Sequence, residues 1–153
     1  MEINLKNENA TTEFGNYLGK LIQKIEEPNI EIHLKGNLGS GKTYLVKKVI
    51  NCLGWKGNVT SPTYNICKEY NLERFLCLHV DLYRISSPED IHLLDLDRMI
   101  NKSKIVFVEW PEKLKGTRDP NILIEINYKE VGRLLRLSSS FEDIKKKIKK
   151  KYA

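Results

Sequence analysis

The chain has 153 residues, of which 41% are hydrophobic and 30% charged. That is the size of one compact domain with material for a real core, and it excludes a disordered chain. No apolar run approaches the ~18 residues a membrane span needs, and the start MEINLKNENATTEF lacks the apolar stretch of a secretory signal, so the expectation is a cytoplasmic protein. Cys52, Cys67 and Cys77 include no C-x-x-C pair and read as reduced core thiols. His33, His79 and His92 stand alone at spacings that suit no structural metal. The net charge of +6 is local. Residues 1–144 hold 20 basic and 20 acidic side chains, and Lys145, Lys146, Lys147, Lys149, Lys150 and Lys151 supply the whole excess.

In chain order, the apolar stripe Phe14, Leu18, Leu21, Ile22 and Ile25 predicts a helix from about Thr11 to Glu26. Asn29–Lys35 reads as a strand, Gly36–Gly41 as a loop, and Lys42 to Leu53 as a second helix stopped by Gly54. Strands follow at Tyr64–Asn71 and Arg74–Asp81. Pro88, after a Ser87 cap, opens a helix to about Ile100. Lys104–Trp110, Ile122–Asn127 and Arg133–Ser138 are three further strands. Residues 139–153 form a basic C-terminal helix, with Ile144 and Ile148 on one face. Its lysines are either a solvated helix end that complements the dipole or a weak electrostatic handle for RNA or an acidic partner. The alternation predicts a single α/β P-loop domain over residues 1–153, with a central, mixed but mostly parallel sheet flanked by helices. One detail conflicts with a doubly buried central strand: Glu31, His33 and Lys35 alternate with Ile30, Ile32 and Leu34.

The chemistry is concentrated in GNLGSGKT, which fits G-x-x-x-x-G-K-[ST]. Gly36, Asn37, Leu38, Gly39, Ser40 and Gly41 form a loop whose backbone N–H groups can turn inward onto phosphate oxygens. Lys42 supplies a mobile charge for the β- and γ-oxygens, and the Thr43 hydroxyl suits Mg²⁺. A chance match in a chain this long is about one in a hundred. A P-loop also needs a carboxylate at a neighbouring strand end. Asp81 ends one apolar strand and Glu109 another, which suggests that one serves Mg²⁺ and the other the attacking water. Thr60, Ser61 and Thr63, around Pro62, are either γ-phosphate sensors or an ordinary turn. No N-K-x-D element for guanine is present, which favours ATP.

Ala10-Thr11, GNLGSGKT, Ser61–Tyr64 (SPTY), His79–Ile85 (HVDLYRI), Val108–Leu114 (VEWPEKL) and Gly132-Arg133 together resemble the bacterial TsaE family. That family is the ATPase of tRNA threonylcarbamoyladenosine biosynthesis. The resemblance runs from about residue 8 to 137. It implies a small P-loop α/β fold, weak ATP hydrolysis, and action with TsaD and TsaB, which modify the adenosine beside the anticodon; contact with tRNA would be indirect or weak. It further implies that the P-loop residues and Thr11 contact nucleotide, that Thr43 and Glu109 attend Mg²⁺, that Asp81 is the catalytic carboxylate with Lys42, and that Arg133 lies near the nucleotide. Asn37 stands where the family usually has an acidic residue, Ser40 where it often has alanine, and Asp95 where it usually has glycine. Two other readings follow from the loop alone: a small P-loop kinase, and an ATP-gated binding module with incidental hydrolysis.

Overall fold

The computed structural model describes every residue, Met1–Ala153. In chain order the elements are β1 (Glu2–Leu5), α1 (Glu8–Ile22), β2 (Asn29–Lys35), α2 (Lys42–Cys52), β3 (Cys67–Asn71) and β4 (Phe75–Asp81). They continue with α3 (Glu89–His92), β5 (Ser103–Glu109), a 3₁₀ turn (Pro111–Leu114), β6 (Ile122–Tyr128), β7 (Arg133–Ser139) and α4 (Glu142–Tyr152). All seven strands share one sheet in the order β1-β7-β6-β2-β5-β4-β3. The four central strands, β6, β2, β5 and β4, run parallel, and β1, β7 and β3 pair antiparallel at the two sides. The mixed, centrally parallel α/β sheet read from the sequence is therefore the observed one. Because β2, β4 and β5 are parallel, their carboxyl ends lie together, where open α/β sheets place ligands.

The sheet buries both faces, but unequally. One face carries a 28-residue core in which Ile30, Ile32 and Leu34 of β2 meet Phe14, Leu18, Leu45 and Val49 of the first two helices. The other carries a nine-residue core built from Leu78 and Val80 of β4, Val106 and Val108 of β5, and Leu82, Leu96 and Leu114. The polar alternation of β2 belongs to this thinner face. There Glu31 accepts from Arg118 Nε at 2.9 Å and Nη2 at 2.7 Å, and from His33 Nε2 at 2.8 Å. A charged network takes the place of apolar cover along that half of the strand.

Several boundaries differ from the sequence reading, among them the end of the first helix, which stops at Ile22 and not at Glu26. α1 starts three residues before Thr11, because Asn7 caps it by accepting the Ala10 N–H at 2.9 Å. The Tyr64–Asn71 strand is shorter at its start, beginning at Cys67 beyond a positive-φ Ile66. The long helix from Pro88 is only the four-residue α3, and Asp95 downstream sits at φ 47°. That left-handed backbone ends helical continuation and is the geometry glycine takes most readily. β1 was not expected; it joins the sheet by pairing Ile3 with Leu135. The C-terminal helix forms as expected, with Ile144 and Ile148 buried. No helix is long and apolar enough to cross a membrane.

Candidate functional site

The loop after β2 is shaped by backbone more than by side chains. Gly36 has φ 145°, and a Cβ there would stand 2.5 Å from the Ile126 carbonyl oxygen and 2.6 Å from Ser40 Oγ. Gly41, at φ 106°, meets nothing within 4 Å, so its conformation and not its space calls for glycine. Gly41 is also the N-cap of α2 and offers no side chain to it. The first turn of α2 has no acidic residue, unlike that of α1, which carries Glu8 behind its Asn7 cap. The uncapped positive end of α2 thus faces the loop, an arrangement suited to an anion. Ser40 Oγ is buried in the same turn without a hydrogen-bond partner.

Lys42 is 5% exposed. Its Nζ donates to the carbonyls of Gly36 at 2.6 Å and Asn37 at 3.0 Å and lies 4.4 Å from the centre of the Trp110 ring. Burial lowers its pKa, against the attraction of Glu109 and Asp81. Trp110 adopts φ 60° at the turn out of β5 and stacks, tilted, 5.0 Å from Tyr83.

Asp81 and Glu109 are paired across the ends of β4 and β5. Glu109 Oε1 accepts from Thr43 Oγ1 at 2.8 Å and from His79 Nε2 at 2.7 Å. An ionised carboxylate only accepts, so Nε2 is the protonated nitrogen, and the buried Nδ1 has no partner. Asp81 receives one bond, from the Tyr83 N–H at 2.9 Å. Burial raises its pKa, and the neighbouring Glu109 charge adds to the rise.

Two adjoining cavities meet at Gly39, Ser40, Gly41 and Tyr44. The first, about 410 Å³, is lined by Lys42, Thr43, Ser61, Thr63, Asp81 and Glu109, among others. The second, about 300 Å³, is bordered by Leu5, Thr11, Tyr44 and Arg133. Arg133 Nε donates to the Ser40 carbonyl at 3.2 Å, and its guanidinium lies 4.4 Å from the centre of the Tyr128 ring. Tyr128 Oη in turn donates to the Leu38 carbonyl at 2.6 Å, so β6 and β7 brace the loop from behind. The expected nucleotide, metal and catalytic residues, Thr11, Gly36–Thr43, Asp81, Glu109 and Arg133, therefore fall around this pair of cavities or in the loop between them, and Ser61 and Thr63 line the first cavity. Thr60 is the exception among the three hydroxyls near Pro62: its Oγ1 accepts from Lys68, away from the loop. A wider groove of about 890 Å³, around Trp55 and Arg74, contains none of the expected site residues.

His79 is the residue that sequence reasoning missed. By spacing it reads as a lone histidine, yet it is fully buried against the carboxylate that also holds Thr43. The available signal was its position two residues before Asp81 on an apolar strand, which puts both on one face of the sheet.

A centrally parallel sheet, a glycine loop leading into an uncapped helix, and a lysine, a hydroxyl and two carboxylates at the strand ends define a P-loop nucleotide-binding protein. Comparison with known proteins carries this further. Residues 5–135 match the family model described as "Threonylcarbamoyl adenosine biosynthesis protein TsaE". A protein of Haemophilus influenzae named "tRNA threonylcarbamoyladenosine biosynthesis protein TsaE" is 35% identical over 126 residues, covering 81% of this chain and 80% of its own. A protein of Rickettsia prowazekii with the same name is 36% identical, with 86% and 90% covered. The chain belongs to the TsaE family. The crystal structure of Bacillus subtilis YdiB superposes with a TM-score of 0.72 over 98% of this chain and 92% of that one, at 22% identity, and supports the fold.

Proposed function

We propose that this chain binds ATP with Mg²⁺, hydrolyses it slowly, and acts with TsaD and TsaB in threonylcarbamoylation of the adenosine beside the tRNA anticodon. The observation that carries the reading is the convergence of Lys42, Thr43, Asp81 and Glu109 at one end of three parallel strands. The loop amides and the start of α2 would bind the phosphates, with Lys42 exchanging its carbonyl partners for the β- and γ-oxygens. The base would enter the smaller cavity beside Thr11 and Arg133.

The donor set suits a hard cation, since the Thr43 hydroxyl and the Glu109 carboxylate are oxygen ligands 2.8 Å apart. Bound there, Mg²⁺ would neutralise charge developing on the phosphates. Asp81 would orient the attacking water and accept its proton. Its single hydrogen bond and raised pKa leave it more basic than an ordinary aspartate. The water oxygen forms the new bond to the γ-phosphorus as the bond to the bridging oxygen breaks, giving ADP and phosphate.

Such loops are slow when no further positive group reaches the transferring phosphoryl, and a partner's residue can raise the rate by ~10³–10⁵. Slow turnover alone and altered turnover with TsaD–TsaB are therefore expected. Ser61, Thr63 and Tyr83 rim the phosphate cavity and would report its contents to a partner. The test is reconstitution of the modification with TsaD, TsaB and tRNA, counting modified tRNA per complex. Many turnovers should require both this protein and ATP; undiminished turnover without it would defeat the proposal.

A further inference from the structure

The excess charge of this protein is confined to one ordered helix. Residues 1–144 are formally neutral, whereas Lys145 to Lys151 carry six positive charges and no negative one. This stretch lies outside the family-matched residues 5–135. It is not a loose tail. Ile144 and Ile148 are buried, and Tyr152 packs edge-on at 5.6 Å from Phe14 and 6.1 Å from Tyr17. Tyr17 Oη also donates to the Lys147 carbonyl at 3.3 Å.

Among these lysines only Lys145 has a carboxylate partner, Glu142. Lys151 lies over the rings of Tyr17 and Tyr152. Lys146, Lys147, Lys149 and Lys150 are exposed and make no ion pair. The helix dipole accounts for cations in the last turn, but its influence fades within that turn. It does not account for Lys146 and Lys147. Lysines repeat at i and i+4 as Lys145–Lys149, Lys146–Lys150 and Lys147–Lys151, a pattern that destabilises an isolated helix. The anchored Ile144 and Ile148 hold this repulsive array in place.

We propose that the exposed face of α4 is a docking surface for the phosphate backbone of RNA. A polyanion relieves the lysine repulsion and releases its own counterions. A lipid surface is disfavoured because the apolar side of α4 is already spent on the core, and interfacial helices need that side free. A protein partner is disfavoured because the exposed face has no aromatic, Met or Arg anchor, and lysine is depleted from protein interfaces. The identification of RNA over other polyanions rests on the proposed tRNA-modification role. Direct contact would bring tRNA to this chain through α4.

The test uses the full chain and labelled tRNA in fluorescence anisotropy across a salt series. The triple variant K146Q/K149Q/K150Q is compared with a charge-matched body variant, K20Q/K56Q/K115Q. The α4 variant should bind on the order of 10²–10³-fold more weakly at about 50 mM salt, with a log–log salt slope smaller by about two to three. ATP turnover and melting temperature should stay at the wild-type values, which separates lost binding from lost folding. Equal losses in the two triple variants, or none in the α4 variant, would overturn the proposal. So would competition by polyglutamate as effective as that by tRNA, or binding to phosphatidylserine vesicles without binding to tRNA. The omission assay above reads the modification role separately. A chain that supports modification while α4 is indifferent to RNA would refute only this inference.

Discussion

The two ends of the central strands both bury charge, and they treat it in opposite ways. At the amino-terminal half of β2, Glu31 is saturated by the Arg118 guanidinium and by His33, and Arg118 reaches Asp97 as well at 2.8 Å. Burial alone would raise the Glu31 pKa, but these bonds outweigh it and hold the carboxyl below its usual range. At the carboxyl ends of β4 and β5, Asp81 has one backbone donor and a like-charged neighbour, and its pKa is raised. Lys42 there bonds to carbonyls and not to a carboxylate. One end has its electrostatics closed, as a structural network does. The other is left open for a ligand to complete.

If the open end is the reactive one, its variants should lose chemistry and keep the fold. Asp81→Asn should cost about 10²–10⁴ in ATP turnover, the range of a positioned general base, while nucleotide binding persists. The same variant should melt slightly higher at pH 7. A carboxyl with a raised folded pKa favours folding at low pH and loses that advantage as pH rises, so neutralising it helps at neutral pH. The gain should be ~2 °C and should close as both forms become neutral in acid. In the wild type, the acid limb of turnover should lie above the ordinary aspartate value of about 3.9. A drop in stability with unchanged turnover would assign Asp81 to the structural class. Lys42→Ala should cost about 10²–10³ in turnover, read in the same assay, with melting unchanged. Glu109→Gln should raise the Mg²⁺ needed for nucleotide binding by roughly 10-fold to 100-fold, measured by titration at several Mg²⁺ levels.

How much of this contrast is legible in the sequence depends on the range of the interactions. GNLGSGKT is local: loop and helix start are written in eight consecutive residues, and the structure places them as read. Asp81 and Glu109 were readable as ends of apolar strands, but their juxtaposition comes from β4 pairing with β5. The closed end was visible only as an anomaly, the polar alternation of β2. Its explanation is Arg118, 87 residues from Glu31. β1 shows the same limit. Ile3 and Leu5 alternate with Glu2 and Asn4, yet four residues are too short a signal, and the strand exists because β7 offers it an edge. The helix read after Pro88 failed for a local reason, the left-handed turn at Asp95, where residue type alone did not reveal the φ.

The closed end supplies the converse prediction. Arg118→Ala leaves Glu31 half buried with only His33, and breaking such a pair should cost ~2–3 kcal/mol in denaturant unfolding, reduced from the fully buried case by partial exposure. ATP binding and turnover per folded molecule should be unchanged. The cost should also depend on pH in a defined direction. Because the folded pKa of Glu31 is depressed, its contribution is present above the unfolded value of about 4.3 and fades as pH falls through the folded one. Wild type and variant should therefore converge in acid, the opposite trend to a loss of packing.

His79 sits on the boundary between the two kinds of site, and it gives the finest test. It is as buried as any structural residue, but its one bond goes to a carboxylate of the open end. Thr43 and His79 both occupy Glu109 Oε1, which leaves Oε2 unengaged by either and fixes the orientation of the group. A positioning role predicts an effect on metal-dependent binding that the ring's packing alone would not produce. His79→Phe keeps a ring and removes the donor; it should raise the Mg²⁺ requirement for nucleotide binding up to about tenfold, the lower end for a lost outer partner of a metal carboxylate. His79→Gln places an amide N–H near the Nε2 position and should recover most of that loss. Nucleotide binding without Mg²⁺ should be the same in all three proteins. Equal effects of Phe and Gln, appearing only in melting temperature, would move His79 to the structural side of the comparison. Rescue by Gln in the Mg²⁺ titration would add His79 to Lys42, Thr43, Asp81 and Glu109 as a fifth member of the open end, with His79 and Thr43 aiming Glu109.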